Sequence, residues 1–86
     1  MTAASIVGQI AGALVTLSLI PQVIRVYRLK SAQEISLLFT TMLLFGLLAW
    51  IAYGALRNDR TIISWNIVGA CITTSLLYAK IRYGRG

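Results

Sequence analysis

Three long uncharged and mostly apolar runs dominate the hydrophobic pattern of this chain. They cover Met1 to Ile24, Ile35 to Leu56 and Thr61 to Ala79, which are 24, 22 and 19 residues. As helices they would span about 36, 33 and 28 Å, against a hydrocarbon core of about 30 Å. The pattern predicts an all-α membrane protein with one domain over residues 1–86. We expect its transmembrane helices at about 3–28, 34–56 and 61–82.

Basic residues are distributed unequally between the two ends of this predicted bundle. Arg57 and Arg60 lie at one end, in a connection so short that helices 2 and 3 must be antiparallel neighbours. The basic residues of the other end are Arg25, Arg28, Lys30, Lys80, Arg82 and Arg85. The positive-inside rule therefore predicts a cytoplasmic first loop and C-terminus, with the N-terminus outside.

The composition supports the membrane class and argues against several others. Hydrophobic residues make up 58% of the chain and charged residues only 12%, which is too apolar for a soluble domain of this size. The net charge of +6 lies between apolar runs instead of on a soluble basic face, so we expect no nucleic-acid partner. Because Cys71 is the only cysteine and there is no histidine, we expect no metal and no cofactor.

Pro21 interrupts the first apolar run near its inner end. Proline has no N–H, and its ring clashes with the carbonyl four residues earlier, which is that of Leu17. This predicts a kink in helix 1 and a carbonyl that needs another partner within the membrane. Ser18 and Gln22 are the nearest side chains that could help.

Small residues predict where the helices pack closely. Gly8-x-x-x-Gly12 on helix 1 continues to Thr16 at the same spacing, which allows another backbone to approach. Four tyrosines near the membrane boundaries are interpreted as an interfacial aromatic belt: Tyr27, Tyr78 and Tyr83 at the inner boundary and Tyr53 at the outer one.

A large aromatic side chain on helix 2 stands between two glycines on one helix face. The pattern is Gly46-x-x-x-Trp50-x-x-x-Gly54, and Tyr53 and Arg57 extend the same stripe toward the outer end. This face is a candidate for binding a solute.

Helix 3 carries a small and polar face at a matching depth. Trp50 lies seven residues before Arg57, and Asn66 lies six residues after Arg60. Antiparallel helices joined by a tight turn bring both side chains to one level of the membrane. The face of helix 3 comprises Asn66, Gly69, Ala70 and Thr73.

Tryptophan and asparagine at one level suit a sugar. An indole packs against the apolar C–H face of a pyranose, and an amide exchanges hydrogen bonds with hydroxyl groups. Two other interpretations stay open: Trp50 as an interfacial anchor and Asn66 as a contact between helices. Trp65 lies about 100° from Asn66 around the helix and is expected to face lipid or a neighbouring helix.

Charged residues are absent from all three apolar runs, which favours passive transport because coupled pumps normally place an ionisable group within the membrane. The two carboxylates, Glu34 and Asp59, fall on opposite sides of the membrane, so we do not expect an enzyme. Three helices cannot enclose a path for a sugar. The simplest closed assembly is a two-fold dimer in which both copies contribute Trp50 and Asn66 to one cavity.

Several local motifs resemble those of the PQ-loop proteins. They are the three spans, Pro21-Gln22 late in the first, and Lys30-Ser31-Ala32-Gln33-Glu34-Ile35-Ser36 leading into the second. Within that family, the length of 86 residues with Trp50 and Asn66 at matched depth is similar to the bacterial SemiSWEET sugar transporters.

This resemblance implies that helix 3 packs between helices 1 and 2, in a parallel homodimer of six helices in the bacterial inner membrane. It implies alternating access for small sugars, such as sucrose or glucose. Trp50 and Asn66 match the substrate site, and Pro21 with Gln22 matches the hinge. The positions that match the outer gate are Tyr53, Arg57 and Asp59.

Some questions stay open at this point. Phe39 and Leu43 continue the Trp50 stripe, but core packing explains them as well as an inner gate does. A small pore-forming protein and a PQ-loop scaffold without transport activity are the alternative functions. A proton-coupled exporter is disfavoured, because no carboxylate lies within a span.

Overall fold

The structure is a computed structural model that describes residues 2–84, and these form three α-helices without any strand. α1 spans Ala3–Leu29, α2 spans Leu37–Leu56 and α3 spans Arg60–Tyr83. All three are long and apolar enough to cross a membrane. The predicted all-α, three-span architecture is confirmed. Arg85, one of the basic residues used to predict the orientation, lies outside the described residues.

Side-chain caps decide where the helices begin. The side chains of Thr2, Ser36 and Asp59 accept hydrogen bonds from backbone N–H groups three residues later, as N-caps do. The prediction that the second helix starts at residue 34 is wrong, because Ser36 caps a helix that begins at Leu37. The residues before this cap form a turn in which the Ile35 N–H donates to the carbonyl of residue 32 over 3.1 Å.

α3 lies between the other two helices. It contacts both α1 and α2, whereas no Cα atom of α1 comes within 8 Å of a Cα atom of α2 in the described chain. The order 1-3-2 is therefore confirmed. Because α1 and α2 flank α3 without meeting, they leave an open groove whose floor is α3.

Glycines allow the close approach of neighbouring helices. A Cβ atom on Gly8 would lie 3.1 Å from the Thr61 side chain, and one on Gly54 would lie 2.9 Å from Ile62. The predicted role of the helix 1 glycines in packing is confirmed. The buried residues of α3 are Gly69, Ala70, Thr73, Leu76 and Ala79.

The first loop is fastened to the C-terminal end of α3. The Ala32 N–H donates to the Tyr83 carbonyl over 2.9 Å, and Lys80 Nζ donates to the Ala32 carbonyl over 3.1 Å. The interpretation of Tyr27 as a belt residue is incomplete, since its hydroxyl donates to the Ser75 carbonyl over 2.8 Å. These contacts bring the loop and the C-terminal end of α3 to the same end of the molecule.

Pro21 lies inside α1, which continues past it to Leu29. The hydroxyl of Ser18 donates to the carbonyl of Val15 over 2.6 Å. Of the two side chains that could help the carbonyl of Leu17, Ser18 and Gln22, Ser18 therefore bonds elsewhere. The proline removes one backbone hydrogen bond of α1 without ending the helix.

Candidate functional site

The groove between α1 and α2 is the candidate functional site. It has a volume of about 580 Å³ and a mostly apolar lining. No charged side chain of the described residues lines it. The lining side chains with rings or hydrogen-bonding groups include Phe39, Trp50, Thr61, Trp65 and Asn66.

Trp50 reaches the groove from α2 and is 53% exposed in the single chain. Its ring meets the ring of Tyr53 edge to face, with the centroids 5.4 Å apart and the planes at 87°. This is a favourable arrangement for two aromatic rings, so Tyr53 helps to orient the indole. The exposed remainder of the indole is an apolar surface that a solute could cover.

Asn66 reaches the same groove from α3. Its Nδ2 donates to the Ile62 carbonyl of its own helix over 2.7 Å. This bond uses one amide hydrogen and orients the group, so the second hydrogen and Oδ1 remain for a ligand. Within the described chain Asn66 does not hydrogen-bond another helix, which was its alternative role, because its side-chain hydrogen bond is to a carbonyl of α3 itself.

Trp65 packs against α1. Its Nε1 donates to Oε1 of Gln9 over 2.6 Å, and a Cβ atom on Gly12 would overlap its ring. Of the two surroundings expected for Trp65, the neighbouring helix is therefore correct. Sequence reasoning missed Gln9, although a polar residue directly after Gly8 of the packing motif was a usable signal.

The predicted outer-gate residues cluster around the α2–α3 turn. Tyr53 packs on Trp50, Arg57 is the C-terminal capping residue of α2, and Asp59 is the N-cap of α3. Asp59 accepts a hydrogen bond from the Ile62 N–H over 3.1 Å. Arg57 and Asp59 do not form an ion pair with each other within the single chain described here.

The predicted hinge residues lie toward the opposite end of α1. Gln22 lines a cavity of about 360 Å³ next to the exposed ion pair of Arg25 and Glu34, whose charged atoms are 3.5 Å apart. A smaller cavity of about 160 Å³ shares Gln22 with it. That smaller cavity also shares Leu19, Phe39 and Leu43 with the main groove, so a row of cavities follows the bundle toward the loop end.

In the described part of the chain, no three His, Cys, Asp or Glu side chains come together. The groove offers aromatic surface, an amide and hydroxyl groups, which are the kinds of group that stack on and hydrogen-bond to neutral polar solutes. Fold and site together define a small helical-bundle membrane protein with a solute-sized groove.

Comparisons with known proteins agree with this class. Residues 3–63 match the family described as PQ loop repeat. The sugar transporter SemiSWEET of Leptospira biflexa is 38% identical over 93% of this chain and 94% of its own length. An uncharacterised protein of Methanocaldococcus jannaschii is 40% identical over 91% of this chain and 84% of its own length.

A solved structure agrees as well. The crystal structure of a bacterial homologue of SWEET transporters superposes with a TM-score of 0.91 at 34% identity, covering 96% of this chain and all of that one. The chain belongs to the PQ-loop family and, within it, to the SemiSWEET group. It is a multi-pass membrane protein, and because the named relatives are transporters, the prediction that it is not an enzyme is confirmed.

Proposed function

We propose that this protein is a facilitative transporter of small sugars that works as a parallel homodimer. The observation that carries the proposal is the presence of Trp50 and Asn66 in one uncharged groove. The indole covers the apolar C–H face of a pyranose, and the free amide atoms of Asn66 bond its hydroxyl groups. SemiSWEET relatives named as sugar transporters in two bacteria support the same substrate class.

A second copy of the chain is needed to close the site. In the single chain the groove is open, and Trp50 is half exposed. A lipid acyl chain cannot hydrogen-bond the free amide atoms of Asn66, so covering this groove with lipid would leave these polar atoms without partners. Two grooves that face each other across a two-fold axis would form one enclosed chamber.

Transport is proposed to be uncoupled and to proceed by alternating access. The groove has no charged side chain to carry a proton or bind an ion. Tyr53, Arg57 and Asp59 form the outer gate, where an exposed ion pair across the dimer axis is worth only about 0–1 kcal/mol and so reopens easily. Pro21 and Gln22 form the hinge through which the inner part of α1 moves.

The proposed location is a bacterial inner membrane, with the N-terminus outside and the C-terminus in the cytoplasm. Five described basic residues lie at the end of the bundle that holds the first loop, and the α2–α3 turn has only Arg57 and Arg60. This difference follows the positive-inside rule.

Counterflow in proteoliposomes tests the proposed function. We expect labelled glucose or labelled sucrose to accumulate against a preloaded unlabelled pool, without leakage of unrelated solutes. Trp50→Ala and Asn66→Ala are expected to abolish this uptake while the protein still forms dimers. Phe45→Ala and Ile67→Ala are matched controls, since both side chains are exposed on the same helices outside the groove.

Each alternative function has its own outcome in this assay. Non-selective leakage would identify a pore-forming protein, and a stable dimer without any flux would identify a scaffold. Full sugar uptake by both Trp50→Ala and Asn66→Ala would show that the sugar binds elsewhere.

A further inference from the structure

A chain of polar contacts joins α1 to α3 beside the groove. Trp65 Nε1 donates to Gln9 Oε1 over 2.6 Å, and Gln9 Nε2 donates to Thr61 Oγ1 over 3.4 Å. All three side chains are partly buried. With its nitrogen engaged by Thr61, the Gln9 amide presents its oxygen to the indole. A short bond in an apolar layer fixes both groups, because little water is available to replace either partner.

Gly12 provides the space in which the indole sits. A Cβ atom on Gly12 would overlap the ring of Trp65, so the backbone of α1 approaches the ring directly. Trp65 nevertheless lines the groove, as its sequence neighbour Asn66 does. Trp65 is therefore part of the wall of the site, and its ring packs against the backbone of α1 at Gly12.

We propose that Trp65 is a second sugar-contacting ring and that Gln9 is the positioning residue that holds it. This inference rests on the proposed sugar transport. The groove presents two indoles, Trp50 from α2 and Trp65 from α3, and a pyranose has apolar C–H surface for both. Gln9 does not line the groove, so it acts on the sugar only through the ring.

The test compares Gln9→Leu, Trp65→Phe and the double variant in counterflow with glucose. Gln9→Leu removes the acceptor, and Trp65→Phe removes the donor but keeps an aromatic ring. We expect each single variant to raise the half-saturation concentration about fivefold with little change in maximal rate, as loss of one hydrogen bond would. The double variant should be no worse than either single one, because both remove the same interaction.

A second readout reports the bond itself without transport. In ¹⁵N-labelled protein the indole N–H resonance of Trp65 is assigned by its absence from Trp65→Phe. In Gln9→Leu we expect it to move to the position of an unbonded indole. Ile10→Leu, a change of an exposed neighbour on the same helix, is the control that should leave both the resonance and the half-saturation concentration unchanged.

The possible failures are distinguishable. Wild-type protein that does not transport sugar would refute the proposed function, on which this inference rests. Wild-type transport with an unchanged half-saturation concentration in Gln9→Leu and Trp65→Phe would refute the inference alone. An additive double variant would also refute it, and if Gln9→Leu does not fold, Trp65→Phe still decides whether the ring affects sugar binding.

Discussion

Asp59 has two roles, one in the local structure and one in the proposed function. Its carboxylate caps α3 through the Ile62 N–H, and the same charge is proposed to close the outer gate. Sequence reasoning gave it only the second role, because the resemblance to a family describes function and says nothing about caps. An aspartate a few residues before the first apolar residues of a helical run is itself a cap signal, so this role was predictable.

Two substitutions at Asp59 separate these roles. Asparagine is as good an N-cap as aspartate, so Asp59→Asn is expected to keep the unfolding free energy while removing the gate charge. Asp59→Ala removes both and should cost about 1 kcal/mol of stability. Thermal unfolding in detergent measures the cap, and counterflow measures the gate. Normal counterflow in Asp59→Asn would contradict the proposed gate role.

The buried threonines provide another residue-scale prediction. The Thr73 hydroxyl is fully buried and has no hydrogen-bond partner, whereas the Thr40 hydroxyl donates to the Ser36 carbonyl over 2.7 Å. We therefore expect Thr73→Val to leave stability unchanged or raise it by about 1 kcal/mol, and Thr40→Val to lower it by about 1 kcal/mol. Thermal unfolding of both variants checks this. Equal destabilisation of the two would show that the Thr73 hydroxyl is hydrogen-bonded within the bundle.

At the level of the helices, the length of the three uncharged runs was sufficient to predict three spans, because each run is long enough as a helix to cross the hydrocarbon core. The start of α2 was not predictable from hydropathy, since Ile35 is apolar and yet lies in a turn before the Ser36 cap. The order of the helices came from resemblance, and the structure explains it by the small residues of α3, such as Gly69 and Ala70.

In the site, the membrane depth of a residue could be predicted from the sequence, whereas the packing of a side chain between two helices could not. Matching depths brought Trp50 and Asn66 together correctly, because depth depends only on counting residues from a short turn. The position of Trp65 depends on which face of α3 meets the Gly8 and Gly12 face of α1, and counting along the chain does not give that rotation of α3. For this reason Gln9 appeared only in the structure.

A further prediction concerns Pro21, the proposed hinge residue of α1. Pro21→Ala would restore the N–H that bonds the Leu17 carbonyl, so we expect unfolding to require up to about 3 kcal/mol more. If bending at this point is part of the cycle, the same variant should slow counterflow. Ser18→Ala is the control on the same turn, as it removes only the hydroxyl bond to Val15. A stabilised Pro21→Ala protein with normal flux would remove Pro21 from the proposed mechanism.

For the whole molecule, the charge difference between its ends predicts the orientation. In a Cys71→Ser background, Asn58→Cys should react with a membrane-impermeant maleimide added to intact cells. Gln33→Cys, in the first loop, should react only after the cells are broken. The two positions are exposed at opposite ends of the bundle, so each serves as the control for the other. The reverse labelling pattern would invert the proposed topology.

The arrangement of the dimer can be tested with Phe39, which lines the groove near the loop end of α2. In a parallel dimer with facing grooves, two copies of this residue approach each other across the axis. In an antiparallel dimer they would lie about 22 Å apart along the bundle. Phe39→Cys in a Cys71→Ser background is therefore expected to give a covalent dimer with a short bismaleimide.

Native Cys71 is the matched control for this crosslink, because it is exposed outside the groove. It should give little dimer with the same reagent in the otherwise unchanged chain. Crosslinking through Cys71 but not through Phe39→Cys would place the grooves against lipid. The half-exposed indole of Trp50 and the free amide atoms of Asn66 would then not face a shared chamber. That result would refute both the proposed transport path and the proposed contact between Trp65 and the sugar.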